Sequence, residues 1–139
     1  RVIEHPAEGK CGLGAAIRGT RAGQGAKAML WKSKDGNGGL VLAVLPGDQK
    51  VDFKKVAAAA GIKKATLASP DEAMEATGCV IGAIPPFSFS DTISLIVDPG
   101  LVQAYDEIAF NAGRLDRSIV LDSKDYVRLA SPALHSLTA

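Results

Sequence analysis

KAMLWKSKDGNGGLVLAVL, residues 27–45, holds two apolar runs on either side of Asp35-Gly-Asn-Gly38. Short runs joined by a Gly/Asn/Asp turn read as a β-hairpin. The second run, from Gly39 to Leu45, has no polar side chain and so reads as a strand buried on both faces. One hairpin commits the sheet to an antiparallel pair. The segments that follow alternate helix and strand irregularly, and the combination predicts a mixed α/β (α+β) sheet rather than a doubly wound parallel one.

Downstream, Phe53, Val56, Ala57 and Ala60 recur at helical spacing ahead of Gly61, which predicts a helix over 51–60 with Lys54 and Lys55 on its wet face. Thr66–Ala68 reads as a short strand. Ser69-Pro-Asp-Glu72 joins an N-cap, a first-turn proline and a capping-box glutamate, opening a helix that Gly78 ends. Ile93–Val97 reads as a strand, Asp98-Pro99 as the cap of a short helix reaching Tyr105, and Glu107–Phe110 and Ser118–Leu121 as two strands around Asn111-Ala-Gly113. Ser123 is the expected cap of a last helix containing Tyr126, Val127 and Leu129; the tail from Ser131 shows no pattern. Upstream, Val2-Ile3 reads as a short strand, Gly12–Ile17 as a small-residue helix and Gly23-Gln-Gly25 as a turn.

A length of 139 residues predicts a single domain over 1–139, large enough to bury one core without disulfides or metal. Sixteen basic against fifteen acidic residues, a net charge of +1, argue against electrostatic grip on a long duplex and leave room for a short nucleic-acid end. The apolar runs are too short to span a bilayer. Cys11 and Cys79 have neither CxxC spacing nor a nearby histidine, so they read as free thiols, and a cytoplasmic location is expected.

Common catalytic machinery is missing from the sequence. His5 and His135 sit near opposite ends, no Gly-x-Ser-x-Gly elbow occurs, and no set of ligands has metal spacing. No metal or cofactor is expected. Lys27 opens an apolar strand, where alternation groups it with Met29 and Trp31; it reads either as a strand-end lysine reaching solvent or as a functional cation. In Gly82-Ala-Ile-Pro-Pro86 the prolines fix φ and extend their predecessors, giving a stiff bend with free N–H groups. Such donors suit a carbonyl or oxyanion, whereas the residues by themselves favour a turn that merely closes a sheet. Asn111, Gly113 and Ser118 line a small pocket or form a turn, Cys79 is a small core residue, and Trp31 is packing or a stacking surface.

Taken together, Lys27, the Gly82-x-x-x-Pro86 bend, Val97-Asp98 and Phe110-Asn-Ala-Gly113 resemble the YbaK/ProRS-insertion (INS) aminoacyl-tRNA editing superfamily, over about residues 2–130. The stretches GQGAKA, TGCVIGAIPPFSF and DEIAFNAG are most similar to its YeaK-like free-standing branch. The resemblance implies a single domain with a curved, mixed, partly barrel-like sheet and a crevice at its mouth, with an N-terminal helix upstream of Arg1. It implies hydrolysis, in trans, of the ester joining a wrong amino acid to tRNA, without a cofactor. Lys27 and the N–H groups near Gly82 and Ala83 are the implied catalytic groups, and Ile84, Pro86, Ser88, Asn111, Gly113 and Ser118 the implied substrate-binding ones. The implied partners are the aminoacyl-tRNA 3′ end and an aminoacyl-tRNA synthetase, with no DNA and no membrane.

The chain departs from its relatives at Ala28, where many have threonine, and at Asn111, where the alanine-clearing branch has histidine. That shifts the expected substrate from Ala-tRNA toward Ser- or Thr-tRNA. Two other readings stay open: a non-catalytic module that binds tRNA or a synthetase, and a hydrolase of small acyl esters. The latter would not need a basic face of Lys54, Lys55, Lys63 and Lys64.

Overall fold

The hairpin forms as β2 (Ala26–Ser33) and β3 (Leu40–Pro46), antiparallel with Ala26 opposite Pro46 and Lys32 opposite Leu40. The computed structural model describes residues 2–4, 24–33, 39–80, 83–88, 92–113 and 117–139. The expectations for His5, Cys11, the 12–17 helix, Gly23, the 35–38 turn and Gly82 fall outside the described residues. The strand β3 is buried along nearly its whole length, as its uninterrupted apolar run requires.

Preceding the hairpin is β1 (Val2–Glu4). After it come α1 (Phe53–Ala60), β4 (Ala65–Leu67), α2 (Pro70–Thr77), β5 (Ile93–Val97) and α3 (Pro99–Ala104). The chain continues through β6 (Glu107–Asn111), β7 (Arg117–Asp122), α4 (Ser123–Ala130) and β8 (Ala133–Leu134). Two sheets result, a five-stranded one in the order β4-β2-β3-β5-β8 and a three-stranded one in the order β1-β7-β6. In the first, β2 pairs antiparallel with β3 and β4, whereas β3–β5 and β5–β8 are parallel, so the sheet is mixed. Among the described residues a bridge between Gly25 and Ala109 connects the two sheets, and they do not close into a barrel. No helix among the described residues is long and apolar enough to cross a membrane.

Alternation along β2 assigns its side chains to two cores. Ala26, Ala28 and Leu30 face a main core with Leu42, Val44, Val97, Ile108, Phe110 and Tyr126, filled between the two sheets by α2, α3 and α4. Met29 and Trp31 face a smaller core with Val41, Ala43 and Ile96, covered by Val56 of α1 and by Leu137 of the tail. Each fully buried aliphatic side chain contributes about 1.5–3 kcal/mol relative to exposure.

Local signals set the helix ends. Ser69 Oγ accepts from Glu72 N while Glu72 returns a bond to Ser69 N, the reciprocal capping box read from the sequence. Gly78 closes α2 at φ +72, a region that a side chain disfavours. Two expectations are corrected. The cap of α4 is Asp122, whose carboxylate accepts from Lys124 N and Asp125 N, and Ser123 is the first helical residue; a carboxylate one position earlier reaches the same free N–H groups. The tail from Ser131 is ordered: β8 pairs with β5, and Thr138 bridges to Val51.

Candidate active site

The bend after α2 is held from two sides. Gly113 N–H donates to the Ala83 carbonyl at 2.9 Å, joining the bend to the β6–β7 turn. Tyr126 of α4 donates its hydroxyl to the Pro86 carbonyl at 2.6 Å. Phe87 adds an aromatic brace, its ring edge-on to Tyr126 at 5.2 Å and to Phe110 at 5.8 Å. Gly113 sits at φ +81, where a side chain is strained, and this lets its N–H turn toward the bend. Burial pushes the Tyr126 phenol's pKa up, so its hydroxyl stays a proton donor.

Ile84 projects between two small cavities. One, of about 100 Å3, is lined by Thr77, Cys79, Ile84, Pro85, Phe87 and Ile93 among others. The second, of about 120 Å3, is lined by Ala28, Leu30, Leu67, Ala68, Ala73 and Ile84 together with Met29. A water occupies about 30 Å3 of liquid, so each cavity suits a group of a few heavy atoms, such as a small amino-acid side chain. Ala28 opens onto a cavity that Ile84 shares.

Within the bend, the Ala83 N–H donates to Val80 O at 3.0 Å, so this expected donor is already engaged. The Ile84 N–H has no acceptor among the described residues. Ser88 Oγ donates to Ile93 O at 2.6 Å and ties the exit of the bend to β5. Asn111 and Ser118 are cross-strand partners, both buried, with Ser118 Oγ donating to Asn111 Oδ1 at 3.2 Å.

Lys27 lies elsewhere. It is half-buried at the start of β2, and its Nζ donates to the Gln49 carbonyl at 2.9 Å. Alternation puts it on the face of Met29 and Trp31, opposite to Ala28 and the bend. No hydrogen bond among the described residues links Lys27 to the bend.

Two roles escaped the sequence reading. Tyr126 was an apolar position of a helix, although a tyrosine on a buried face signals a hydroxyl in need of a partner. Asp98 was read as a cap and as part of the Val97-Asp98 motif; its buried carboxylate accepts from Gly100 N at 2.7 Å, Leu137 N at 2.8 Å and Thr138 N at 3.3 Å, clamping the tail to the start of α3. No local signal marks those last two bonds.

The chain matches the aminoacyl-tRNA editing domain over residues 5–129. It is 53% identical over 136 residues to the multifunctional Ser/Thr-tRNA deacylase ProXp-y of Escherichia coli (strain K12), covering 96% of this chain and 81% of that protein. The chain belongs to the aminoacyl-tRNA editing domain family. A stretch of 75 residues, 54% of this editing domain and 13% of its relative, is 31% identical to the proline–tRNA ligase of Thermosipho africanus (strain TCF52B). The fold recurs in the crystal structure of a candidate trans-editing enzyme for prolyl tRNA synthetase, at TM-score 0.86 and 24% identity over 100% of this editing domain and 86% of that chain. A hypothetical protein of known crystal structure matches at TM-score 0.87 and 21% identity, over 100% of this chain and 91% of its own.

Proposed function

We propose that this editing domain is an aminoacyl-tRNA deacylase that acts in trans, in the cytoplasm, on mischarged Ser- or Thr-tRNA. The observation that carries the reading is the Ala83–Pro86 bend, pinned by Gly113 and Tyr126 with a small cavity on each side of Ile84, in a chain 53% identical to a Ser/Thr-tRNA deacylase. In the reaction, water adds to the ester carbonyl carbon and the bond to the ribose oxygen breaks. The water's proton passes to that oxygen, releasing a free amino acid and the tRNA 3′-terminal hydroxyl. Main-chain N–H groups of the bend stabilise the oxyanion. Ile84 supplies one donor, since that of Ala83 is engaged, and Gly82, outside the described residues, supplies its neighbour. Pro86 and Ser88 keep the bend stiff. Asn111, Gly113 and Ser118 hold the adjoining turn that backs the substrate side chain.

Lys27 is the cation for the charged tRNA end. Its flexible four-carbon stem lets the ammonium group exchange the Gln49 carbonyl for a phosphate. A second reading, a non-catalytic tRNA- or synthetase-binding module, draws on that same contact, because it turns Lys27 away from the bend. Hydrolysis of Ser-, Thr-, Ala- and Cys-tRNA by the wild type separates the two. Ser- or Thr-tRNA turnover is the expected result, and a folded protein that hydrolyses none of the four would be the module.

A further inference from the structure

Lys54, Lys63 and Lys64 line one groove of about 330 Å3 with Phe53, Ala65 and Thr66, between the first turn of α1 and β4. None of its lining residues is acidic. The neighbouring carboxylate is Asp52, committed as the cap of α1 to Lys54 N and Lys55 N, and three lysines in a chain of net charge +1 still leave a local excess of positive charge. Their ammonium groups have no ion pair among the described residues. Lys55, adjacent in sequence, is committed elsewhere: its Nζ donates to the Thr138 carbonyl at 2.7 Å. The basic face read from the sequence as four lysines is therefore a groove of three.

Phe53 adds an aromatic surface. Its ring is 52% exposed yet held edge-on against Trp31 at 4.8 Å, and Trp31 is fully buried. A rigid, half-exposed ring among free cations is the combination that single-stranded nucleic acid uses, phosphates on the lysines and a base or ribose on the ring. The groove also has a fixed relation to Lys27. Its residue Ala65 pairs with Ser33, six residues along β2 from Lys27, a separation of about 20 Å at about 3.3 Å per residue.

We propose that this groove binds the sugar-phosphate backbone of tRNA, a few nucleotides from the end that is hydrolysed. The inference rests on the deacylase reading for the identity of the RNA. The groove supplies affinity and register, while the bend supplies chemistry.

The test measures binding of an uncharged tRNA transcript by fluorescence anisotropy over about 50 to 300 mM salt. Wild type is compared with the triple variant Lys54→Ala, Lys63→Ala, Lys64→Ala, and with the single variant Lys64→Glu, each checked by circular dichroism. Three lost phosphate contacts should lower the slope of log affinity against log salt by about 2–3 and weaken low-salt binding by about tenfold or more. In deacylation, KM should rise in the same proportion with kcat unchanged. Unchanged affinity and salt slope in either folded variant would overturn the groove, even with hydrolysis intact. Loss of polyglutamate binding with tRNA binding retained would assign the groove to an acidic protein and also overturn it. A wild type that binds tRNA through these lysines but hydrolyses no charged tRNA would instead sink the deacylase reading and leave the groove standing.

Discussion

The Tyr126 hydroxyl donates to the Pro86 carbonyl at 2.6 Å across 40 residues of sequence, so the last helix holds the bend in register with the core. Tyr126→Phe keeps the ring contacts with Phe87 and leaves the carbonyl without this donor. The expected cost is about 1–3 kcal/mol in urea unfolding, the penalty of a buried unsatisfied acceptor. Deacylation should lose kcat more than KM, because the bend loosens without losing any substrate contact.

Lys27→Ala should lower turnover by about 100-fold or more, because the cation that holds the charged tRNA end, and so positions the ester at the bend, is lost. Its stability should be near wild type, since the side-chain bond lost among the described residues is the exposed one to Gln49 O. Single-turnover hydrolysis of Ser-tRNA beside a thermal melt reads both quantities, and full activity in the variant would remove Lys27 from the mechanism.

Glu72 gives stability a pH signature. The hydrogen bond from Lys32, aided by the Ser69 N–H, holds its carboxyl down to about 2 from an ordinary 4.5. A depressed folded value stabilises the protein above the unfolded value and is lost as pH falls through the folded one. The difference in urea midpoint between wild type and Glu72→Gln should therefore be complete at neutral pH, shrink below about 4.5 and vanish near 2. A constant difference across that window would count against the pair.

Gly113→Ala should cost about 1–2 kcal/mol, because the position holds φ +81 while, among the described residues, the added Cβ meets only the Cys79 Sγ, at 3.8 Å. Backbone strain is the cause. A crystal structure of the variant should show the bond from its N–H to Ala83 O lengthened, and an unshifted bond with unchanged stability would refute the role given to this glycine.

Asp98→Asn should destabilise the tail selectively. The carboxylate accepts from Leu137 N and Thr138 N, and replacing a charged acceptor by an amide costs about 1.5–3 kcal/mol. Hydrogen exchange should quicken at Leu137 and Thr138 before it does in β3.

Most of the fold was legible. The hairpin, the Ser69–Glu72 capping box, the Gly61 and Gly78 stops and the apolar run of β3 are local patterns, resolved within a few residues. The tail was not, because β8 has two residues and owes its conformation to β5 and Asp98. The prolines marked a bend at 83–86, yet which of its N–H groups is engaged depended on Val80. Tyr126 looked like one more apolar helix position, and its partner lies in a loop that helical spacing never samples.

Residue order alone determined the hairpin, the capping box and glycine stop of α2, the mixed sheet and the family motifs, since caps, turns and period-two or period-3.6 patterns act over a few positions of chain. Tertiary structure alone decided that Lys27 meets Gln49 O, that Lys55 meets Thr138 O and leaves three lysines in a groove, and that Tyr126 reaches Pro86. Those contacts join segments 22 to 83 residues apart. At such separations the partner is chosen by which surfaces the packed core brings together, and no local pattern encodes that choice.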